Sequence, residues 1–358
     1  MFHPYPTPHG DAPVLLPASR VRRRLPHNFD PADLPLFEHE LEHELPATRL
    51  LELNDVGVTP DGMLFKGRRI LPESFSSPVI MRHFLGRRRS VLKFFVTNRL
   101  VRRRRRLAGA RLWVTDDWSY GYFHWLADAL PRLYAARDTA ARTTLLLPAG
   151  FDRKEFVTAS LKLFPLGGVE YLREGEVAFC ERLIVPTHTA PSGHYREDVA
   201  RGLRDLFAAG FGAGGGAPAA ERVYISRGRA PKRRVANEPE LLDALAEFGF
   251  RVVHFEEQPF AEQVRIAQGA RLLVSNHGAG LTNMLFMPAG GSVLELRRAG
   301  ERERNWFFNL ANAMHLTYFY QNCPPADAAD DAHSGDVHVD PHLFRENLKL
   351  MLAARGAP

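Results

Sequence analysis

From about residue 50 onward, short apolar runs alternate with helical patterns, and that rhythm predicts an α/β protein. "RLWVT" (111–115), "TTLLLP" (143–148) and "ERLIVPT" (181–187) are continuous apolar runs bounded by turn residues, as buried parallel strands are. Between them "YFHWLADALPRLYAARD" has helical spacing, disturbed at Pro131, and "FDRKEFVTASLKLF" offers a second helix. A second series begins with the strand "RVYISR". "NEPELLDALAEFG" follows as a helix, with Asn237 at its N-cap and Gly249 ending it. Strands "FRVVHF", "RLLVSN", "GSVLELR" and "HLTYFY" then alternate with helices "PFAEQVRIAQGA", "GLTNMLFM" and "NWFFNLANAM". Parallel sheets covered on both faces are the expected outcome.

The pattern fails in two places. Residues 1–48 are proline-rich and charged without sustained periodicity, and predict an irregular extension. "AAGFGAGGGAPAAE" (208–221) has nothing to pack and reads as a linker, placed at 211–220. A first domain at 49–210 and a second at 221–340 follow, with a terminal helix at 341–358. At 358 residues the chain exceeds the size of a single core, which supports that division. No apolar run reaches the ~18 residues of a membrane span. The start, "MFHPYPTPHGDAPVLLP", lacks a basic region ahead of an apolar one, so a secretory signal is not expected. Two cysteines, Cys180 and Cys323, sit at no metal-like spacing, and a reducing, cytoplasmic setting is expected.

Charge adds one question. The net charge is +6, concentrated in arginine clusters at 20–24, 86–90 and 101–109. Such clusters read either as solvated surface or as attraction to an anionic membrane, at the inner face of which peripheral contact is then expected. Nucleic acid is disfavoured, because no recognisable module or aromatic interleaving accompanies the cations.

The chemistry gathers around three stretches. "RLLVSNHGAGLTN" runs strand, tight turn, helix start, where ligands of open parallel sheets bind. Gly278 and Gly280 allow close backbone approach, and the N–H groups that follow favour a phosphate. It is neither the dinucleotide fingerprint nor a P-loop, so a plain turn with His277, Thr282 and Asn283 as helix-start residues stays open. Glu295 ends the next apolar run and is placed either to accept from ribose hydroxyls or to sit at the surface. Arg227, Arg229, Lys232, Arg233 and Arg234 occupy the loop leaving the first strand of the second domain, and suit a pyrophosphate bidentately. In the first domain, His124 and Asp128 lie four apart on one helical face. They read as a base with its orienter, or as an ion pair that supports folding. "HELEH" (39–43) matches the zinc-protease pattern but lies in the irregular region without a third ligand, so zinc hydrolysis is not expected.

Taken in order, "YFHWLADALPRL", "ISRGRAPKRRVANEPELLDALAEFGFRVV" and "HGAGLTNMLFMPAGGSVLEL" resemble the family 61 glycosyltransferases, including the bacterial capsular polysaccharide biosynthesis proteins. The resemblance covers about 110–320. It implies a GT-B fold, two Rossmann-like domains facing each other across a cleft, with the final helix packing back on the first. It also implies an inverting, metal-independent transfer from a nucleotide-sugar, commonly UDP-linked, to a glycan or lipid-linked glycan. No cofactor or metal is expected, and the sequence has no Asp-x-Asp motif. Under this resemblance Gly278, Ala279, Gly280 and Thr282 face the diphosphate, with Asn283 beside them. His277 touches sugar or phosphate, Arg227 and Arg234 neutralise the diphosphate, and Glu295 holds the ribose. Asp128 is the expected base, with His124 its partner or rival. A non-catalytic nucleotide-sugar or polyanion-binding protein on the same fold is the alternative.

Overall fold

The computed structural model describes residues 10–212, 221–327, 329–330 and 334–354. It is mixed α/β and divides into two compact units whose segments alternate along the chain. One is Met1–Ser19 with Glu44–Ser192, the other Arg20–His43 with Gly193–Pro358.

The first unit is built on a mixed sheet. Strands Glu176–Pro186, Arg103–Leu112, Thr144–Leu147 and Val169–Tyr171 are parallel neighbours in that order. Thr48–Val58 pairs antiparallel with Glu176–Pro186 and carries Leu64–Lys66 and Arg69–Ile70 beyond it. The three expected strands are present, but the first begins inside the arginine run. Arg103–Arg106 pair in register with Glu176–Phe179, and the Arg105 guanidinium is engaged by Glu170 and Glu176. A charged run thus becomes strand because its acidic partners lie some seventy residues away, beyond any local pattern. Fully buried Trp113, Leu146, Leu183 and Val185 belong to this sheet's core.

The expected first-unit helix is interrupted by one wide turn. Tyr122–His124 is α, Trp125–Ala129 is π, and Leu130–Ala135 is α again. The Leu130 N–H reaches back five residues to Trp125 O. Pro131 has no N–H to continue an α ladder and clashes with the carbonyl four residues earlier, so an inserted residue accommodates it.

The second unit has a five-stranded, all-parallel sheet in the order Arg251–Val253, Arg222–Ile225, Leu272–Asn276, Ser292–Arg298, Thr317–Cys323. In chain order this is 2-1-3-4-5, a doubly wound arrangement whose order reverses between the first and third strands. Tyr224, Val274, Leu294 and Phe319 pack on one face with Leu245, Phe344, Leu348 and Met351. The terminal helix Pro341–Ala354 therefore spends its apolar stripe on the second sheet, not on the first domain as expected. Asn237 does sit at a helix N-cap, but its amide bonds Val339 O (2.8 Å) instead of capping.

The unit boundary falls at Ser192/Gly193, ahead of the glycine run. The helix Glu197–Phe211 belongs to the second unit because Phe207 packs on Phe260 and Phe286 at ring distances of 6.1 and 4.6 Å. Of the expected linker, residues 213–220 lie outside the described residues.

Residues 20–43 are not an irregular extension. His27 N–H donates to Tyr318 O (2.8 Å), and Asn28 bonds both the N–H and the carbonyl of Tyr320. Phe37 is fully buried, with Arg297 5.1 Å from its ring centre. The segment covers the open edge of Thr317–Cys323, whose unpaired groups would otherwise be exposed. "HELEH" folds as a 3₁₀ turn (Glu38–Glu40) followed by a strand (Glu42–Leu45), so its histidines do not share a helix.

His43 instead stacks on His194 (3.9 Å, 8°), and the His194 Nδ1 lies 3.1 Å from Arg23 Nη2. Burial first, then His43, Arg23 and His39, push His194 down to about 3. The unfolded chain titrates near 6.5, so it binds the extra proton between the two values. His194 therefore contributes stability that is complete above ~6.5 and lost as pH falls toward 3. Urea unfolding at about pH 5 should show a loss on the order of 2 kcal/mol from this residue relative to neutral pH. His194→Gln should remove that part of the decline. An identical decline in the variant would place the titration elsewhere.

Among the described residues no helix is long and apolar enough to cross a membrane.

Candidate functional site

The reversal in strand order puts two loops side by side at the carboxyl ends of Arg222–Ile225 and Leu272–Asn276. One begins with Ser226 and Arg227, the other with His277 and Gly278. Their join is specific. Arg227 donates through Nε to Arg233 O (2.9 Å) and through Nη2 to Lys232 O (3.0 Å), while Asn276 Nδ2 donates to the same Arg233 carbonyl (2.9 Å). The Arg227 guanidinium lies against Gly278, where a Cβ would come within 2.6 Å of Nη1. Gly278 is required by close approach of a side chain, not by a left-handed backbone.

His277 is buried, with side-chain exposure of 11%. Its Nδ1 lies 2.5 Å from Glu295 Oε1, and Glu295 Oε2 accepts from the Tyr318 hydroxyl at 2.6 Å. Register explains the meeting: Glu295 is paired with Ser275, two residues before His277 on the adjacent strand. Burial works to raise the Glu295 pKa. The charge and hydrogen bond of His277, with Arg297, outweigh it and hold the carboxyl below its usual range. His277 Nε2 is buried and has no partner among the described residues. An orphaned ring nitrogen on an oriented imidazole is unusual, because buried polar atoms are nearly always satisfied.

Positive charge collects beside it. Arg233 takes a left-handed backbone (φ 56°), and burial, then Arg227 and Arg304, lower its pKa to about 10. Its Nε is also without a partner among the described residues. Arg304 pairs with Glu301 at 3.1 Å. Like charges held together in a partly buried place favour an anion there.

The expected residues divide accordingly. His277, Gly278 and Arg227 meet, and Ala279 and Gly280 open the 3₁₀ helix Ala279–Phe286, both partly exposed. Thr282 and Asn283 are buried; Asn283 Nδ2 donates to Gly280 O (2.9 Å), while Thr282 Oγ1, like His277 Nε2, has no partner among the described residues. Glu295 was expected at a ribose, but both its oxygens are taken inside the protein. Arg234 was expected at the diphosphate, but it pairs with Asp336 at 3.0 Å. The turn at Arg233 sends consecutive side chains to different partners. Arg233, beside Arg227 and within the electrostatic reach of Arg304, keeps its Nε unpartnered among the described residues. Arg304 carries no local signal, since it reaches the site only through the fold.

In the first unit His124 Nδ1 lies 2.7 Å from Asp128 Oδ2, which also accepts from Ser192 Oγ (2.9 Å). Asp128 keeps 2% side-chain exposure and His124 15%. The Trp118 ring lies 4.8 Å from the imidazole. A second dyad, His188 Nε2 to Asp116 Oδ2 at 2.8 Å, was not anticipated. Burial raises Asp116, but His188 and then Arg132 more than reverse it and leave the carboxyl well below its usual range. Fully buried Arg132 senses Asp116, Glu73 and Asp128 together, and its Nε donates to Pro186 O (2.9 Å). Asp116 and His188 both follow the carboxyl ends of parallel strands, the rule that singled out His277, and could have been found by it. A cavity of about 500 Å³ adjoins Asp116, lined also by Asp117, Tyr120, Pro148, Gly150 and Phe151.

A doubly wound parallel unit with His277 and Arg227 at its strand-order reversal places these side chains where open α/β sheets bind their ligands. The glycosyltransferase 61 family model matches residues 122–294, which span both the His124–Asp128 helix and the His277 turn, and over that stretch the chain is similar to that family. Protein O-linked-mannose beta-1,4-N-acetylglucosaminyltransferase 2 of Canis lupus familiaris is 31% identical over 303 residues, 80% of this chain and 46% of the relative. The same-named protein of Takifugu rubripes is 49% identical over 71 residues, 19% of this chain and 12% of the relative. EGF domain-specific O-linked N-acetylglucosamine transferase of Drosophila melanogaster is 35% identical over 99 residues, 27% of this chain and 18% of the relative. The chain spans less than half the length of each.

Proposed function

We propose that the chain is an inverting, metal-independent glycosyltransferase that moves a sugar from a nucleotide-sugar to a glycan acceptor. The two units work as a GT-B pair, the second holding the donor. The observation that carries the reading is the buried, unpartnered His277 Nε2 at the strand-order reversal, in a turn whose Gly278 lies against the Arg227 guanidinium. On this reading Nε2–H donates to a diphosphate oxygen, and the Arg227 and Arg233 guanidinium groups and the N–H groups of Ala279 and Gly280 share its charge. That cluster supplies the stabilisation of the leaving group that a divalent ion would otherwise give.

On the acceptor side, burial favours His124 as the group that meets the substrate and Asp128 as its orienter. His124 takes the proton of the acceptor hydroxyl as that oxygen bonds the anomeric carbon. The bond from carbon to diphosphate breaks on the opposite face, which inverts the centre. The cavity beside Asp116 has room for a sugar ring of the acceptor. The activity of the relatives makes N-acetylglucosamine the first donor sugar to try; we propose it linked to UDP, with a surface or capsular polysaccharide precursor, free or lipid-linked, as the first acceptor.

The test is thermal unfolding across nucleotides and nucleotide-sugars, followed by transfer assays with and without a chelator. A bound donor at 100 times its dissociation constant should stabilise by about 2.7 kcal/mol. Absence of a shift with every nucleotide overturns the donor site. Binding without transfer to any acceptor favours a non-catalytic binder.

A further inference from the structure

The first unit carries an outward face that its fold does not require. Helices Pro78–Gly86 and Arg88–Val96 are followed by the π turn Thr97–Val101. Val91, Phe94 and Phe95 are buried there, and Phe94 meets Phe65 and Phe84 edge-on. The core-facing positions are therefore satisfied, and a solvated helix would be polar on its other side. Here that side also carries large aliphatic residues. Val79 is 63% exposed, Leu92 61%, Val96 43%, Leu100 80% and Val101 74%. Leu92, Val96 and Leu100 follow at four-residue spacing and form one stripe.

Charge decides what could cover it. Between Glu73 and Asp116 the chain has no acidic residue and twelve lysines and arginines. Arg88, Arg89 and Lys93 are exposed on the helix, and Arg103, Arg104 and Arg106 on the strand that follows. A second copy of the same face would bring like charges together. Nucleic acid would want aromatic rings for stacking, and the exposed side chains are aliphatic. Aliphatic residues amid unbroken positive charge fit a surface that is anionic at its headgroups and apolar beneath.

We propose that residues 78–106 dock this unit on the surface of an anionic phospholipid bilayer, with Leu92, Val96, Leu100 and Val101 entering the headgroup layer. The inference is independent of the donor and acceptor sites.

Flotation of the full chain with vesicles tests it, comparing phosphatidylcholine alone with an equal mixture of phosphatidylcholine and phosphatidylglycerol. Binding to the mixed vesicles only, screened by added salt, is expected. Leu92→Asp with Leu100→Asp should weaken it about tenfold or more. Melting temperature and turnover of a soluble acceptor should not change, because both side chains are exposed. No flotation with anionic vesicles, or flotation undiminished in the variant, overturns the proposal. So does light scattering that shows a wild-type dimer dissolved by the same variant, since a second copy would then cover the face.

Discussion

Asp128→Asn should lower turnover by about 10²–10⁴-fold while leaving nucleotide affinity unchanged. Asparagine keeps the shape and can still accept from Ser192, now at 2.9 Å from the carboxylate. It cannot stabilise the imidazolium that forms when His124 takes the acceptor proton. Under the proposed function the nucleotide is held by residues of the other unit, so its affinity is a clean control. His124→Ala should cost a comparable amount, and the double variant little more, because the two act as one group. Stability also falls, since Arg132 loses one of the three carboxylates that offset its burial. A cost on the order of 2 kcal/mol is expected, and unfolding measurements separate it from the kinetic effect. Near-normal turnover of Asp128→Asn in a folded protein would remove the dyad from the mechanism.

The second large effect belongs to His277. Its replacement by alanine removes a charge-assisted hydrogen bond and leaves buried Glu295 with only Tyr318 as hydrogen-bond partner. Affinity for a nucleoside diphosphate should fall by about 10–100-fold, equivalent to some 1.5–3 kcal/mol. Turnover should fall further, by about 10²–10³-fold, because charge on the diphosphate grows as the glycosidic bond breaks. Calorimetry with the diphosphate and single-turnover transfer measure the two parts. Glu295→Gln gives an informative contrast: the imidazole remains in place, but the carboxylate that orients it through Nδ1 is gone. It should therefore depress turnover more than diphosphate affinity. Wild-type affinity and rate in His277→Ala would show that the orphaned nitrogen serves no ligand.

Legibility followed burial. Strands Arg222–Ile225, Leu272–Asn276, Ser292–Arg298 and Thr317–Cys323 read directly, because both faces of a parallel sheet are covered and each contains a short buried apolar run. Thr48–Val58 and the start of Arg103–Leu112 were obscured, since they carry charges whose partners are distant in sequence. Residues 197–210, found here in the helix Glu197–Phe211, fall by sequence in the first domain because they precede the glycine run. Only the packing of Phe207 assigns that helix to the second unit.

By itself the sequence determined the α/β class, the turn at His277 and the helical face shared by His124 and Asp128. Each rests on short-range periodicity and spacing, which one stretch of chain carries entire. The tertiary structure decided who faces whom. Glu295 meets His277 because strand register aligns it with Ser275, and the positive φ at Arg233 sends Arg234 to Asp336. Arg304 joins the cluster from a loop some seventy residues away, and residues 20–43 cross to the far sheet to cover its edge. Those pairings depend on register, backbone hand and edge exposure, which no local pattern records.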